Sequence, residues 1–187
     1  MPQLLVVIAS TRPGRVGLPV ADWFVEKART VGGFEVKVCD LKEVGLPLMD
    51  EPNHPVMGNY TKDHTRAWSA MVDAADAFVF VMPEYNYAMT APLKNALDYL
   101  AREWHYKPAG LVSYGGISGG LRAAQMVKQV LTTLKMMPIP EAVAIPIVRE
   151  HIVEGRFQPT ELMEQNAVTM VNELQRWESA LKPLRKK

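Results

Sequence analysis

The chain has 187 residues, 48% of them hydrophobic, and 21 Lys+Arg against 20 Asp+Glu give a formal charge of +1. This is enough chain for one well-packed domain, 1–187, and too little for two comfortable ones; the balanced charge excludes the basic excess of a nucleic-acid binder. No apolar run approaches the ~20 residues that cross a bilayer, and Met1-Pro2-Gln3 passes straight into a strand without a signal-peptide pattern, so a cytoplasmic protein with no membrane contact is expected. One cysteine, Cys39, excludes an intramolecular disulfide and reads as a small core residue. The four histidines, His54, His64, His105 and His151, lack the paired spacing of a metal site, and no metal is implied.

Leu4 to Ala9 is an apolar run suited to the centre of a sheet, and it stops at Ser10-Thr-Arg-Pro-Gly-Arg15-Val-Gly17. Leu18 to Arg29 follows as a helix with Val20, Phe24, Val25 and Ala28 on one face. The loop between them offers hydroxyls at Ser10 and Thr11, guanidinium groups at Arg12 and Arg15, and, at Val16 and Gly17, the amides of a helix start. Those are groups that bind a phosphate dianion. Neither a Walker loop nor a Gly-x-Gly-x-x-Gly fingerprint is present, so a monophosphate fits better than a triphosphate or dinucleotide. Such a loop in isolation is an ordinary turn; directly after a first buried strand it is a candidate site.

Phe34 to Asp40 reads as a second strand. The long turn-rich segment Gly45 to Asn59 is either a functional loop or a flexible connection. A helix over His64 to Ala75 leads to Ala77-Phe-Val-Phe-Val-Met82, a strand buried on both faces and ended by Pro83. Pro83, Glu84, Tyr85 and Asn86 then lie where open α/β sheets place ligands, ahead of a helix capped by Thr90. Glu84 suits a main-chain ligand contact or a helix cap better than a general base. After a polar-aromatic link, Ala109 to Ser113 is the fourth strand, ending at Tyr114-Gly115-Gly116-Ile-Ser-Gly-Gly120, whose glycines let backbone approach a flat ligand. A helix over Leu121 to Lys135, a short strand at Glu141 to Ile145 and a long helix from Thr160 to Leu181 complete the domain, with a basic, solvated tail at Lys182 to Lys187. Alternating strands and helices predict a doubly wound parallel sheet, and five strands suggest the order 2-1-3-4-5, with the candidate loops sharing one edge.

The chain resembles the NADPH-dependent FMN reductases, a family of quinone, azo-dye and chromate reductases with a flavodoxin-like fold. The likeness is carried by Pro83-Glu84-Tyr85-Asn86 followed by Pro92-Leu93-Lys94-Asn95-Ala96-Leu97-Asp98, and extends over Leu4 to Ile145. It implies a flavodoxin-like three-layer sandwich, FMN as cofactor and NADPH or NADH as co-substrate. In the family a Gly-Ser-x-Arg loop holds the FMN phosphate and a Ser-x-Gly-Gly segment borders the flavin ring. Here Ala9 replaces the usual glycine, and Arg15 stands where many members carry serine. The cofactor-binding set expected is Ser10, Thr11, Arg12, Arg15, Val16, Pro83, Glu84, Tyr85, Asn86, Ser113, Tyr114, Gly115 and Gly116.

A phosphate loop, a glycine-lined surface and an absent pyrophosphate motif favour FMN, which supplies the redox chemistry itself and requires no catalytic acid, base or nucleophile from the chain. The activity expected is ping-pong transfer of electrons from NAD(P)H to a small-molecule acceptor: a quinone, azo compound, free flavin or metal oxyanion. The alternatives are a non-catalytic electron carrier, which would usually be strongly acidic, and a flavin-binding sensor. If Met89, Leu93, Ala96 and Leu100 face the sheet, Ala91, Asn95, Tyr99 and Arg102 form an outward patch suited to a two-fold contact. The resemblance adds that members pair through this helix and complete each site with partner residues, here from Gly45 to Asn59, giving a homodimer or a dimer of dimers.

Overall fold

The computed structural model describes residues 1–185. The apolar runs become the parallel strands β1 (Gln3–Ile8), β2 (Glu35–Asp40), β3 (Ala77–Pro83), β4 (Pro108–Tyr114) and β5 (Met137–Ile145), ordered β2-β1-β3-β4-β5. β3 and β4 are buried at every position, which is why their sequences do not alternate. One face of the sheet packs on α1 (Gly17–Val31) and α6 (Glu161–Leu181), through Val20, Phe24, Met170 and Leu174. The other face packs on α3 (Asp63–Ala74), α4 (Ala91–Asp98) and α5 (Leu121–Thr133), through Trp68, Val72, Leu93, Leu97, Val127 and Leu131. The short helix α2 (Leu41–Val44) follows β2 directly, and Cys39 lies in the core as expected.

Several boundaries differ from the sequence reading. β5 begins at Met137 rather than Glu141, with a register shift against β4 at Ala109 to Leu111 that absorbs Pro138 and Pro140. After it come a 3-10 turn at Val148–His151 and a small antiparallel hairpin, β6 (Ile152–Val153) and β7 (Arg156–Phe157), neither of which the sequence signalled. Tyr99 is not on an outward patch: it is fully buried, and its hydroxyl donates to the Pro47 carbonyl and Asp50 Oδ1, each at 3.1 Å. The cause is tertiary. Residues 45–51 fold back over α4, where Asn95 Nδ2 donates to the Pro47 carbonyl at 2.7 Å and Met49 N donates to Asn95 Oδ1 at 3.0 Å. The same segment is pinned farther along by Glu51, which accepts from the amides of Thr61 and Lys62.

At the amino ends of the strands the charged groups are mutually engaged. Lys107 Nζ donates to the Val72 and Asp73 carbonyls at 2.9 and 3.0 Å, closing the C-terminal end of α3. Asp76 accepts from Gln3 N at 2.8 Å and from Arg185 at 2.8 Å, and Arg185 also donates to Glu178 at 2.9 Å. The start of the basic tail is therefore docked rather than loose; Lys186 and Lys187 lie outside the described residues.

Candidate active site

At the opposite edge of the sheet, the turns after β1, β3, β4 and β5 surround a cleft of about 310 Å³. Of the residues expected there, Arg12, Arg15, Val16, Pro83, Glu84, Tyr85, Tyr114, Gly115 and Gly116 line it together. Ser10 and Ser113 are buried, and Ser113 Oγ donates to the Gly119 carbonyl at 2.8 Å, holding the glycine turn. Thr11 instead faces a second groove with Leu41, Leu48 and Pro92. Asn86 is exposed in a tight turn: Tyr85 and Ala88 exchange two backbone hydrogen bonds, of 3.0 and 2.9 Å, around Asn86 (φ 50°) and Tyr87 (φ 68°). Two positive φ values in a two-residue connection are the signature of a type I′ turn. Tyr87 is exposed there, under the guanidinium of Arg122 at 4.2 Å.

Ile147, Val148 and Arg149 complete the wall, and sequence reasoning missed them. The available signal was Pro146 at the end of β5, a fourth strand whose carboxyl end meets the same edge. The glycine turn fixes this wall: Ile147 N donates to the Gly116 carbonyl at 2.9 Å and Val148 N to that of Gly115 at 3.1 Å. Ile147 itself sits at φ 43°, ψ 49°, a left-handed conformation that a β-branched residue adopts only under constraint. Gly120 closes the turn at φ 81°, where any side chain would also fall within 2.7 Å of Tyr114 N.

Arg15 is engaged within the chain. Its guanidinium donates to Asp40 Oδ1 at 2.6 Å and to the Ser10 carbonyl, so it braces the loop against the end of β2. The bond to Asp40 raises the Arg15 pKa; burial pushes the Asp40 carboxyl up, but its bonds from Arg15 and Lys42 N outweigh this and leave it below the usual carboxylate value. Arg12 makes no side-chain hydrogen bond or ion pair among the described residues and opens on the cleft.

Glu84 is a helix cap. Its nearly buried carboxylate accepts from Ser118 Oγ at 3.0 Å, Arg122 Nη1 at 3.1 Å, and the amides of Arg122 and Ala123 at 3.0 and 3.4 Å, at the start of α5. Burial pushes its pKa up, and these bonds bring it below the ordinary value, so it stays ionised and occupied, unsuited to proton transfer. α1 has no comparable partner: Val16 occupies the cap position, and no side chain accepts from the first amides of this 15-residue helix. Two buried hydroxyls beside it, Ser10 Oγ and Tyr114 OH, lie close to each other and make no well-formed hydrogen bond to any other group. Uncapped amides, unpartnered hydroxyls and a free guanidinium form a donor set that fits a phosphate monoester, and Gly115 and Gly116 leave room for a flat group beside it.

A family model described as NADPH-dependent FMN reductase matches residues 2–150. An NAD(P)H-dependent FMN reductase of Schizosaccharomyces pombe is 42% identical over 160 residues, 84% of this chain and 80% of that one. A probable NADPH:quinone oxidoreductase of Oryza sativa subsp. japonica is 38% identical over 104 residues, 54% of this chain and 51% of that one. Among solved structures, FerB of Paracoccus denitrificans, a flavoenzyme NAD(P)H:(acceptor) oxidoreductase, superposes with a TM-score of 0.75 at 20% identity, covering 97% of this chain and 99% of that one. With the matched region spanning all five strands and every loop of the cleft, the chain belongs to the NADPH-dependent FMN reductase family, flavoenzymes that take electrons from NAD(P)H.

Proposed function

We propose that this chain is a cytosolic FMN-dependent NAD(P)H oxidoreductase that works by a ping-pong mechanism on small planar acceptors, quinones first, with azo compounds, free flavin and metal oxyanions as further candidates. The observation that carries the reading is the junction of the uncapped α1 start, Ser10 and Arg12 with the glycine-lined turn of β4, a phosphate site continuous with a surface for a flat ring. The quinone oxidoreductase relative supports the acceptor class. FMN, when bound, supplies the hydride chemistry. The chain's own work is to hold and orient: Ser10, Arg12 and the α1 amides for the phosphate, Pro83 to Tyr85 and Gly115 to Gly116 along the ring, Ile147 to Arg149 as the wall. Donor and acceptor use the same open face in turn, which is the basis of the ping-pong expectation.

Parallel double-reciprocal plots for NADPH against a benzoquinone, and anaerobic bleaching of bound FMN by NADPH, are the expected results. Intersecting plots overturn the ping-pong step, and FMN that stays yellow with NADPH overturns the reductase reading. Arg12→Ala should weaken FMN binding about 10- to 100-fold, the loss of a charge-assisted bond, with little change in apoprotein stability. Unchanged FMN affinity, measured by fluorescence titration, removes Arg12 from the site.

A homodimer or dimer of dimers remains part of this proposal, with a revised patch. Tyr99 does not belong to it, and the groove of Leu41, Leu46, Leu48, Ala91 and Pro92 takes its place, with Leu41 buried at its floor and Leu48 82% exposed. Light scattering that finds a monomer of ~21 kDa with full turnover rules the dimer out.

A further inference from the structure

We infer that Tyr114, the last residue of β4, is a direct phosphate ligand, its phenolic hydroxyl donating to the FMN phosphate alongside Ser10 at the start of α1. The inference rests on the FMN reading above and adds a donor that the phosphate loop itself does not contain.

The ring of Tyr114 lies on the α1 and α6 side of the sheet, and the residue is 3% exposed. Its backbone cannot shift easily: it pairs with Pro83 on one side and Ile145 on the other, its carbonyl accepts from Glu84 N at 2.9 Å, and Gly120 packs directly on it. The hydroxyl is thereby delivered to one place. That place is marked by Gly17, the first residue of α1, where a methyl group would fall within 2.5 Å of Tyr114 OH and closer still to Ser10 Oγ. Two buried hydroxyls thus converge on the uncapped start of α1; they are close enough to feel each other, and neither makes a well-formed hydrogen bond to any other group. Buried polar groups are nearly always bonded, and exceptions in native folds mark positions whose partner is something else. A ligand oxygen accepting from both hydroxyls and from the α1 amides would satisfy the whole set, and a phosphate monoester carries enough acceptor oxygens to do so. Burial pushes the phenol up to about 12, so the group remains a donor throughout the working pH range.

Tyr114→Phe separates this role from a packing role, because it removes only the oxygen. FMN affinity should fall about tenfold or more, the cost of one hydrogen bond to a charged group, while riboflavin affinity, lacking the phosphate, stays unchanged. The apoprotein should keep its melting temperature or gain, since an unpartnered buried hydroxyl has been removed. Inorganic phosphate should raise the melting temperature of the wild-type apoprotein more than that of the variant. Ser10→Ala serves as a second variant with the same expected pattern. Equal loss of FMN and riboflavin affinity, or unchanged FMN affinity, overturns the inference, as does a lower melting temperature with unchanged FMN affinity. Wild-type protein that binds neither flavin fails the FMN reading itself, a result distinguishable from either.

Discussion

The two ends of the sheet treat polar groups in opposite ways. At the amino ends, Lys107 is consumed by the last carbonyls of α3, and Asp76, Arg185 and Glu178 bond one another, with Arg185 Nε the one buried donor left over in that group. At the carboxyl ends, two buried hydroxyls and the first amides of α1 are left without partners, and Arg12 is free among the described residues. The same residue chemistry therefore serves closure at one edge and readiness at the other. A buried group left unsatisfied costs about 1–3 kcal/mol, and the carboxyl edge differs in gathering two such hydroxyls, uncapped amides and an open guanidinium in one place.

The strongest way to break this contrast is Gly17→Ala. The added methyl group would occupy the space between Ser10 and Tyr114, and FMN affinity should drop on the order of a hundredfold while circular dichroism still reports a folded apoprotein. Near-normal affinity would mean that the hydroxyls are not part of the site.

The amino edge should answer to pH instead of to flavin. Burial pushes the Lys107 ammonium down to about 8, whereas an unfolded lysine titrates near ~10.4. Between those values the unfolded chain binds the extra proton, so this group makes stability rise with pH across that window. Wild type should therefore gain on Lys107→Met by on the order of 2–3 kcal/mol from pH 8 to ~10.4, with FMN affinity the same in both. Cys39, whose thiol burial pushes up to about 12, gives a slope of opposite sign, and it cancels in the comparison because both proteins carry it. A flat difference in chemical denaturation across that range would contradict the assignment.

A smaller effect is expected at Ile147. Ile147→Gly relieves a left-handed β-branched residue, less the entropy that glycine adds to the unfolded chain, for a gain of about 1 kcal/mol in stability. The same change removes part of the cleft wall, so FMN affinity should fall a few-fold. A melting temperature that falls instead would show that the side chain's packing outweighs its backbone strain.

Much of this was legible in the sequence because it depends on short-range pattern. Unbroken apolar runs marked β3 and β4, polar loops after the strands marked the edge that carries the cleft, and the observed sheet order is the one that five alternating strands and the family resemblance suggested. What the sequence concealed depends on chain segments meeting across long separations. Tyr99 falls on the polar side of a helical wheel, and only the return of residues 45–51 buries it. Arg15 lines the cleft as expected, but its engagement by Asp40, 25 residues away, has no local signal. Ile147 to Arg149 follow a strand whose prolines blur its start, so the turn that completes the cleft carried almost no local signal.

The carboxylate of Glu84 on the start of α5 has a consequence for direction. Four other helices have leading amides answered by a side chain: α2 by Asp40, α4 by Thr90, α5 by Glu84 and α6 by Thr160, while at α3 Glu51 accepts only from Thr61 and Lys62, just ahead of the helix. Partial positive charge is thus offset at those four ends, whereas α1, which opens on the cleft, keeps it. A ligand with one anionic terminus would therefore find unanswered helix amides at the α1 end of this cleft, beside Arg12, which favours one sense of lying across the sheet over the reverse.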